Sequence, residues 1–146
     1  MKRLLKISII CLLILSLCFS FFACASKLTI DGKDRNWVLV MITNDEGEVR
    51  YCSAEFKLIY PDATMIDLSC KAAGGKIVII DNVMQMHYYG TYKASDEAEY
   101  DVTFDNTDGK VNGFATVSKV NLHDDTVEYN LAIVIDGYTL HFKSVK

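Results

Sequence analysis

The chain has 146 residues, with 15 Lys and Arg against 19 Asp and Glu, a net charge of −4 at neutral pH. That acidic balance argues against nucleic acid or an anionic membrane surface as the main partner, because both are held by clustered cations. Hydrophobic residues make up 51% of the chain, and they are unevenly placed.

Lys2, Arg3 and Lys6 form a basic start with no acid, and Ile7 to Phe22 follows without a charged residue. This is the pattern of an export signal, a basic n-region followed by an apolar h-region. As a helix the apolar run would reach about 24 Å, short for a hydrocarbon core of roughly 30 Å. It is therefore expected to be a signal-peptide helix rather than a permanent span. Removing Lys2, Arg3 and Lys6 from fifteen bases leaves twelve against nineteen acids, a net charge of −7 on the mature chain.

The end of that run is Phe21-Phe22-Ala23-Cys24. It resembles the lipobox of bacterial lipoproteins, in which a small residue precedes a Cys that is lipidated and becomes the new N-terminus. The resemblance implies a signal peptide over 1–23, lipid attachment at Cys24, and a protein held at the extracytoplasmic face of a cell membrane. The alternative is an A-x-A site at Ala23-Cys24-Ala25, cut after Ala25 to release a secreted protein. Residues 24–35 are expected to form a short polar tether, and 36–146 a single domain.

Five cysteines are present, and Cys11 and Cys18 leave with the signal. With Cys24 lipidated or removed, Cys52 and Cys70 remain. An even remainder in an exported domain predicts a disulfide. Its loop of about 19 residues would contribute on the order of 3 kcal/mol, and reduction would lower the melting temperature. The alternative is two free buried thiols.

Downstream the pattern has period two. Trp37 to Ile42 is a β-rich run apolar on both faces, and Asn44-Asp45-Glu46-Gly47 is a turn. Val49 and Tyr51, then Phe56, Leu58 and Tyr60, alternate with polar residues, and Pro61-Asp62 turns the chain. Strands are predicted at Thr64 to Lys71 and Lys76 to Ile80, joined through Ala72 to Gly75. After Asp81-Asn82, Val83 to Ala94 reads as a strand interrupted by Gly90. Ser95 to Tyr100 could form one helical turn. Tyr100, Val102 and Phe104 alternate with Asp101, Thr103 and Asp105, and Asn106 to Gly109 turns into Val111 to Lys119. Val127 to Ile135 is a long strand, and Asp136-Gly137 is the strongest hairpin signal, leading to Tyr138, Leu140 and Phe142.

The prediction is an all-β fold, an antiparallel meander of about eight to ten strands closing into a barrel to protect its edges, with a β-sandwich as the alternative. Three features, Asn36-Trp37-Val38-Leu39-Val40, Gly90-Thr91-Tyr92-Lys93 and Ile135 to Phe142, resemble the small lipocalin-like domains of bacterial lipoproteins. The resemblance spans roughly Asn36 to Val145 and implies a lipocalin-like barrel.

No residue set predicts catalysis. His87 and His141 sit on strands, and His123-Asp124-Asp125 lies in a connection, without ligand spacing for a metal. Asp105 to Gly109 lacks the spacing of a calcium loop, and Glu97 and Glu99 read as a solvated edge. No catalytic residue, metal or cofactor is expected. Aromatic side chains in the strands are expected mainly to fill the core. The candidate ligand-binding set is Trp37, Tyr92, Phe104, Tyr129 and Phe142. The leading expectation is a non-enzymatic module for a small apolar ligand or an envelope partner. The alternative is a structural envelope protein with a packed core and no cavity.

Overall fold

The computed structural model describes residues 28–31, 35–123 and 126–145. The expected signal peptide, Cys24 and most of the expected tether lie outside the described residues. Ten strands follow in chain order: β1 Asn36–Asn44, β2 Val49–Cys52, β3 Thr64–Met65, β4 Leu68–Ala73, β5 Lys76–Asp81, β6 Met86–Asp96, β7 Glu99–Asn106, β8 Gly109–Asn121, β9 Val127–Ile135 and β10 Tyr138–Val145. Strands β4 to β10 run as an antiparallel meander, and β1 pairs with both β10 and β4. The sheet therefore closes as an eight-stranded barrel, β1 and β4 to β10, and the β-sandwich alternative is not formed. The short strands β2 and β3 lie outside that ring: β2 pairs with the second half of β1, and β3 pairs parallel to β2.

Two hairpins use the turn chemistry expected of them. Gly74-Gly75 and Asp136-Gly137 have positive φ at both positions, 57° and 80°, and 50° and 75°. That is the primed turn whose twist matches the flanking strands.

A bulge explains why Trp37 to Ile42 reads as apolar on both faces. The register with β10 shifts between Leu39 and Met41, so Val40 is the extra residue. The inward phase changes there from Trp37 and Leu39 to Ile42, all three buried. Cross-strand registers then build rows of inward side chains. One runs Leu39, Phe142, Leu131, Val117, and the next Ile42, Leu140, Ile133, Ala115, Tyr100.

Two glycines permit close approach inside long strands. A Cβ on Gly90 would lie 2.6 Å from the Thr103 carbonyl oxygen and 2.8 Å from the Phe104 ring, and one on Gly113 would lie 2.2 Å from the Val134 carbonyl oxygen. The missing side chain at Gly90 gives Phe104 its place in the wall.

Several local expectations are corrected. Phe56, Leu58 and Tyr60 do not form a strand. Ala54–Phe56 is a 3₁₀ turn, and successive backbone bonds from Ile59 and Tyr60 to the Phe56 carbonyl, and from Ala63 to that of Tyr60, keep the segment coiled. The Lys57 ammonium donates to the Pro61 and Ala63 carbonyls and holds that coil. Ser95 to Tyr100 forms the β6–β7 hairpin rather than a helical turn, with Ser95 as a bulge. Val83 lies in a turn, and β6 begins only at Met86.

The Cys52–Cys70 disulfide is not formed; both thiols are free and buried. Cys52 pairs with Met41 and Cys70 with Trp37, on the same side of β1. Four residues of strand separate them by roughly 13 Å, at about 3.3 Å per residue. A disulfide needs Cα atoms within about 7 Å. Cys70 is buried deeply enough that its thiol pKa is pushed up to about 12, which leaves it protonated and inert.

Candidate functional site

The two ends of the barrel differ. One end holds the start of β1, the β4–β5 and β6–β7 turns and the β8–β9 connection. Residues of the expected tether close it. Ile30 is 1% exposed, its carbonyl accepts from the Trp37 indole N–H at 3.0 Å, and its N–H donates to the Tyr100 hydroxyl at 3.2 Å. The Tyr100 hydroxyl donates in turn to the Leu28 carbonyl at 3.2 Å. Arg35 donates to the Thr29 carbonyl, and its guanidinium lies 3.9 Å from the centre of the Tyr129 ring and 5.9 Å from that of Trp37. Tyr92 meets Tyr100 edge-on at 5.7 Å, and burial raises the pKa of the Tyr92 phenol. The carbonyls of Leu28, Thr29 and Ile30 and the N–H of Ile30 are thereby partnered, which is what permits backbone to enter an apolar interior.

The opposite end holds the β1–β2, β5–β6, β7–β8 and β9–β10 turns, and it is open. A cavity of about 470 Å³ occupies it, within the 300–1,000 Å³ usual for small-molecule sites. Its apolar wall includes Ile42, Leu68, Ile79, Phe104 and Leu140, and Tyr51, Tyr88 and Tyr138 stand at it with their rings partly exposed. Among the described residues its charged lining is Asp81, Asp105 and Asp136, with no Lys, Arg or His. Asp81, at the end of β5, is 9% exposed. Its Oδ1 accepts the backbone N–H groups of Val83 at 2.9 Å and Met84 at 2.8 Å, closing the β5–β6 turn as an Asx motif. Those two bonds hold the carboxylate at the cavity wall, and Val83 and Met84 project into solvent beside it, 72% and 67% exposed.

Of the candidate ligand-binding aromatics, Phe104 lines this cavity. Trp37 and Phe142 are fully buried in the core, and Tyr92 and Tyr129 belong to the sealed end. The barrel thus does not gather those five residues at one site. Ile42, Asp81, Tyr88, Tyr138 and Leu140 were not among the candidates. The inward phase of Tyr138 and Leu140 is readable from the final hairpin, whereas the position of Asp81 depends on closure.

His87 and His141 lie outside this cavity. His141 is half-buried, 3.3 Å from the Thr43 hydroxyl, and desolvation lowers its pKa. His87 Nδ1 lies 3.1 Å from the Tyr89 hydroxyl on the outer surface. Among the described residues no His, Cys, Asp and Glu group could hold a metal. Lys143 bonds Glu55 at 2.8 Å and lies over Phe56, tying the 3₁₀ turn to β10. No protein-family profile, curated protein or solved structure matches the chain.

Proposed function

We propose that this protein is an exported, lipid-anchored binding module that takes a small, mainly apolar ligand into the open mouth of its barrel, without catalysing a reaction. The single observation that carries the reading is the asymmetry of the ends: one sealed by Ile30 on Trp37 and Tyr100, the other an apolar cavity of about 470 Å³. A barrel of eight strands either fills with its own side chains or holds one small ligand, and here the filling stops short of one end. The resemblance to lipocalin-like lipoproteins supports the same reading.

The anchor would fix the direction of the mouth. Cys24 precedes Leu28 by four residues, at most about 14 Å of extended chain. Leu28 stands at the sealed end, so a lipid on Cys24 would place that end against the membrane and turn the mouth away from it.

Titration with a neutral apolar fluorophore, N-phenyl-1-naphthylamine, tests the cavity. Saturable binding at one probe per protein, weakened by L140F, is expected. An unsaturable or absent response would defeat the proposal. Intact mass tests the anchor: an acylated Cys24 as N-terminus supports it, and an N-terminus at Ser26 removes it.

A second reading, docking of an envelope protein, is favoured by the apolar side chains exposed at Val83, Met84 and Met86 beside the mouth. Substituting these three with Ser would leave fluorophore binding intact if they serve only docking.

A further inference from the structure

The mouth cavity combines three features that a simple hydrocarbon would not need. Among the described residues its charged lining is all acidic. Three tyrosines, Tyr51, Tyr88 and Tyr138, line it, and aromatic faces attract ammonium groups. Its most buried polar group is the carboxylate of Asp81. The turn uses Oδ1 alone, while Oδ2 has no hydrogen-bond partner among the described residues. Oδ2 is therefore an acceptor left open to the cavity at its apolar wall, where an ammonium head would find a charge-assisted partner.

Resting on the reading of the mouth as a ligand site, we infer that the ligand is a cationic amphiphile, an alkyl chain carrying an ammonium head. The chain packs against Ile42, Leu68, Ile79 and Leu140, and the head sits against the free oxygen of Asp81 among the tyrosine rings. Asp105 and Asp136 add negative potential at the entrance, which favours entry of cations and disfavours fatty acids and other anionic amphiphiles. An anionic head in the same place would meet three carboxylates and no base.

Three probes of equal chain length separate the two levels of the inference: decyltrimethylammonium, 1-decanol and decyl sulfate, titrated calorimetrically below their micelle concentrations. Decyltrimethylammonium is expected to bind at least tenfold tighter than decyl sulfate, with the ratio shrinking as salt is raised. Asp81→Asn keeps an oxygen to accept the Val83 and Met84 N–H groups, so the turn persists while the charge goes. It should cut the cation-to-anion ratio severalfold and change decanol binding by much less. Should D81N not fold, D105N/D136N, read with the salt dependence on the parent protein, measures the same preference. Decanol binding without any charge preference would overturn this inference and leave the apolar-ligand reading standing. Failure of decanol and the cation alike would overturn both, and a D81N protein with the full preference would remove Asp81 as the seat of the head.

Discussion

Gly113→Ala tests whether the barrel wall is as tightly apposed as its registers require. The added Cβ would lie 2.2 Å from the Val134 carbonyl oxygen and 3.2 Å from the Ile135 Cβ. A carbon and a carbonyl oxygen meet comfortably at about 3.3–3.6 Å, so the backbones must part by about 1 Å. The obstacle is a carbonyl within a paired strand, which cannot swing aside as a side-chain tip can. Parting it weakens the Gly113–Ile135 and Phe114–Val134 pairs, where β8 meets the β9–β10 hairpin at the mouth. Overpacking of this kind costs typically 1–3 kcal/mol, and a backbone clash belongs at the upper end, about 3 kcal/mol. For a domain of this size that corresponds to a fall in Tm of about 10–15 °C. The sign is diagnostic, because in an unobstructed strand Gly to Ala stabilises by roughly 0.5–1 kcal/mol. Urea unfolding followed by far-ultraviolet circular dichroism, with an unchanged m-value, gives the number. A G113A protein within 1 kcal/mol of the parent would refute the close approach, and Ser118→Ala on the same strand, expected within about 0.5 kcal/mol, is the control.

Ile30→Ala removes the buried centre of the plug and is expected to cost about 2–4 kcal/mol in urea unfolding, far more than a tether residue would. The native protein is expected to show the same Tm with and without dithiothreitol, and Cys52 and Cys70 to react with a thiol reagent at pH 8 only after unfolding. A Tm several degrees lower under reduction would show a bridge instead. Burial holds the His141 pKa below its usual value, so the unfolded chain binds the proton more readily. Its contribution to stability is complete above about pH 6.5 and is lost as pH falls from there towards the lowered folded pKa. H141Q should flatten the Tm profile between pH 7 and 5, and an unaltered slope would exclude His141 as its source.

Much of the barrel is legible from local chemistry. Tyr100, Val102 and Phe104 alternate because one face of β7 is buried, and Asp136-Gly137 can adopt the two positive φ angles of a primed turn. What was not legible depends on contacts between distant segments. The segment from Phe56 to Tyr60 has a strand's alternation, but it finds no neighbouring edge and coils around Lys57 instead. Ile30 sits in a polar stretch, and only the approach of Trp37 and Tyr100 makes it core. Two cysteines left over in a chain expected to be exported suggest a pair by counting. Counting carries no information about register, and register sets them four residues apart along β1. Asp81 is the clearest case at the candidate site. Asp-Asn between two apolar runs reads as turn chemistry, and Asp81 does close a turn. Its second oxygen gains meaning only once the ring closes and sets it beside Phe104 and Leu140.

The difference between the two ends follows from which polar groups each can satisfy. At the sealed end every carbonyl carried in by Leu28 to Ile30 meets a donor supplied by Trp37, Tyr100 or Arg35. Chain can therefore fill the interior there with its carbonyls satisfied, and the Tyr92 hydroxyl is the one buried side-chain polar atom left without a partner among the described residues. At the mouth the polar side chains among the described residues are three carboxylates, three phenols and the Asn106 amide. Carboxylates can only accept, and the most buried of these groups is the Asp81 carboxylate. On the proposed reading, a molecule with an apolar body and a donor or cation at its head would meet both the wall and Asp81.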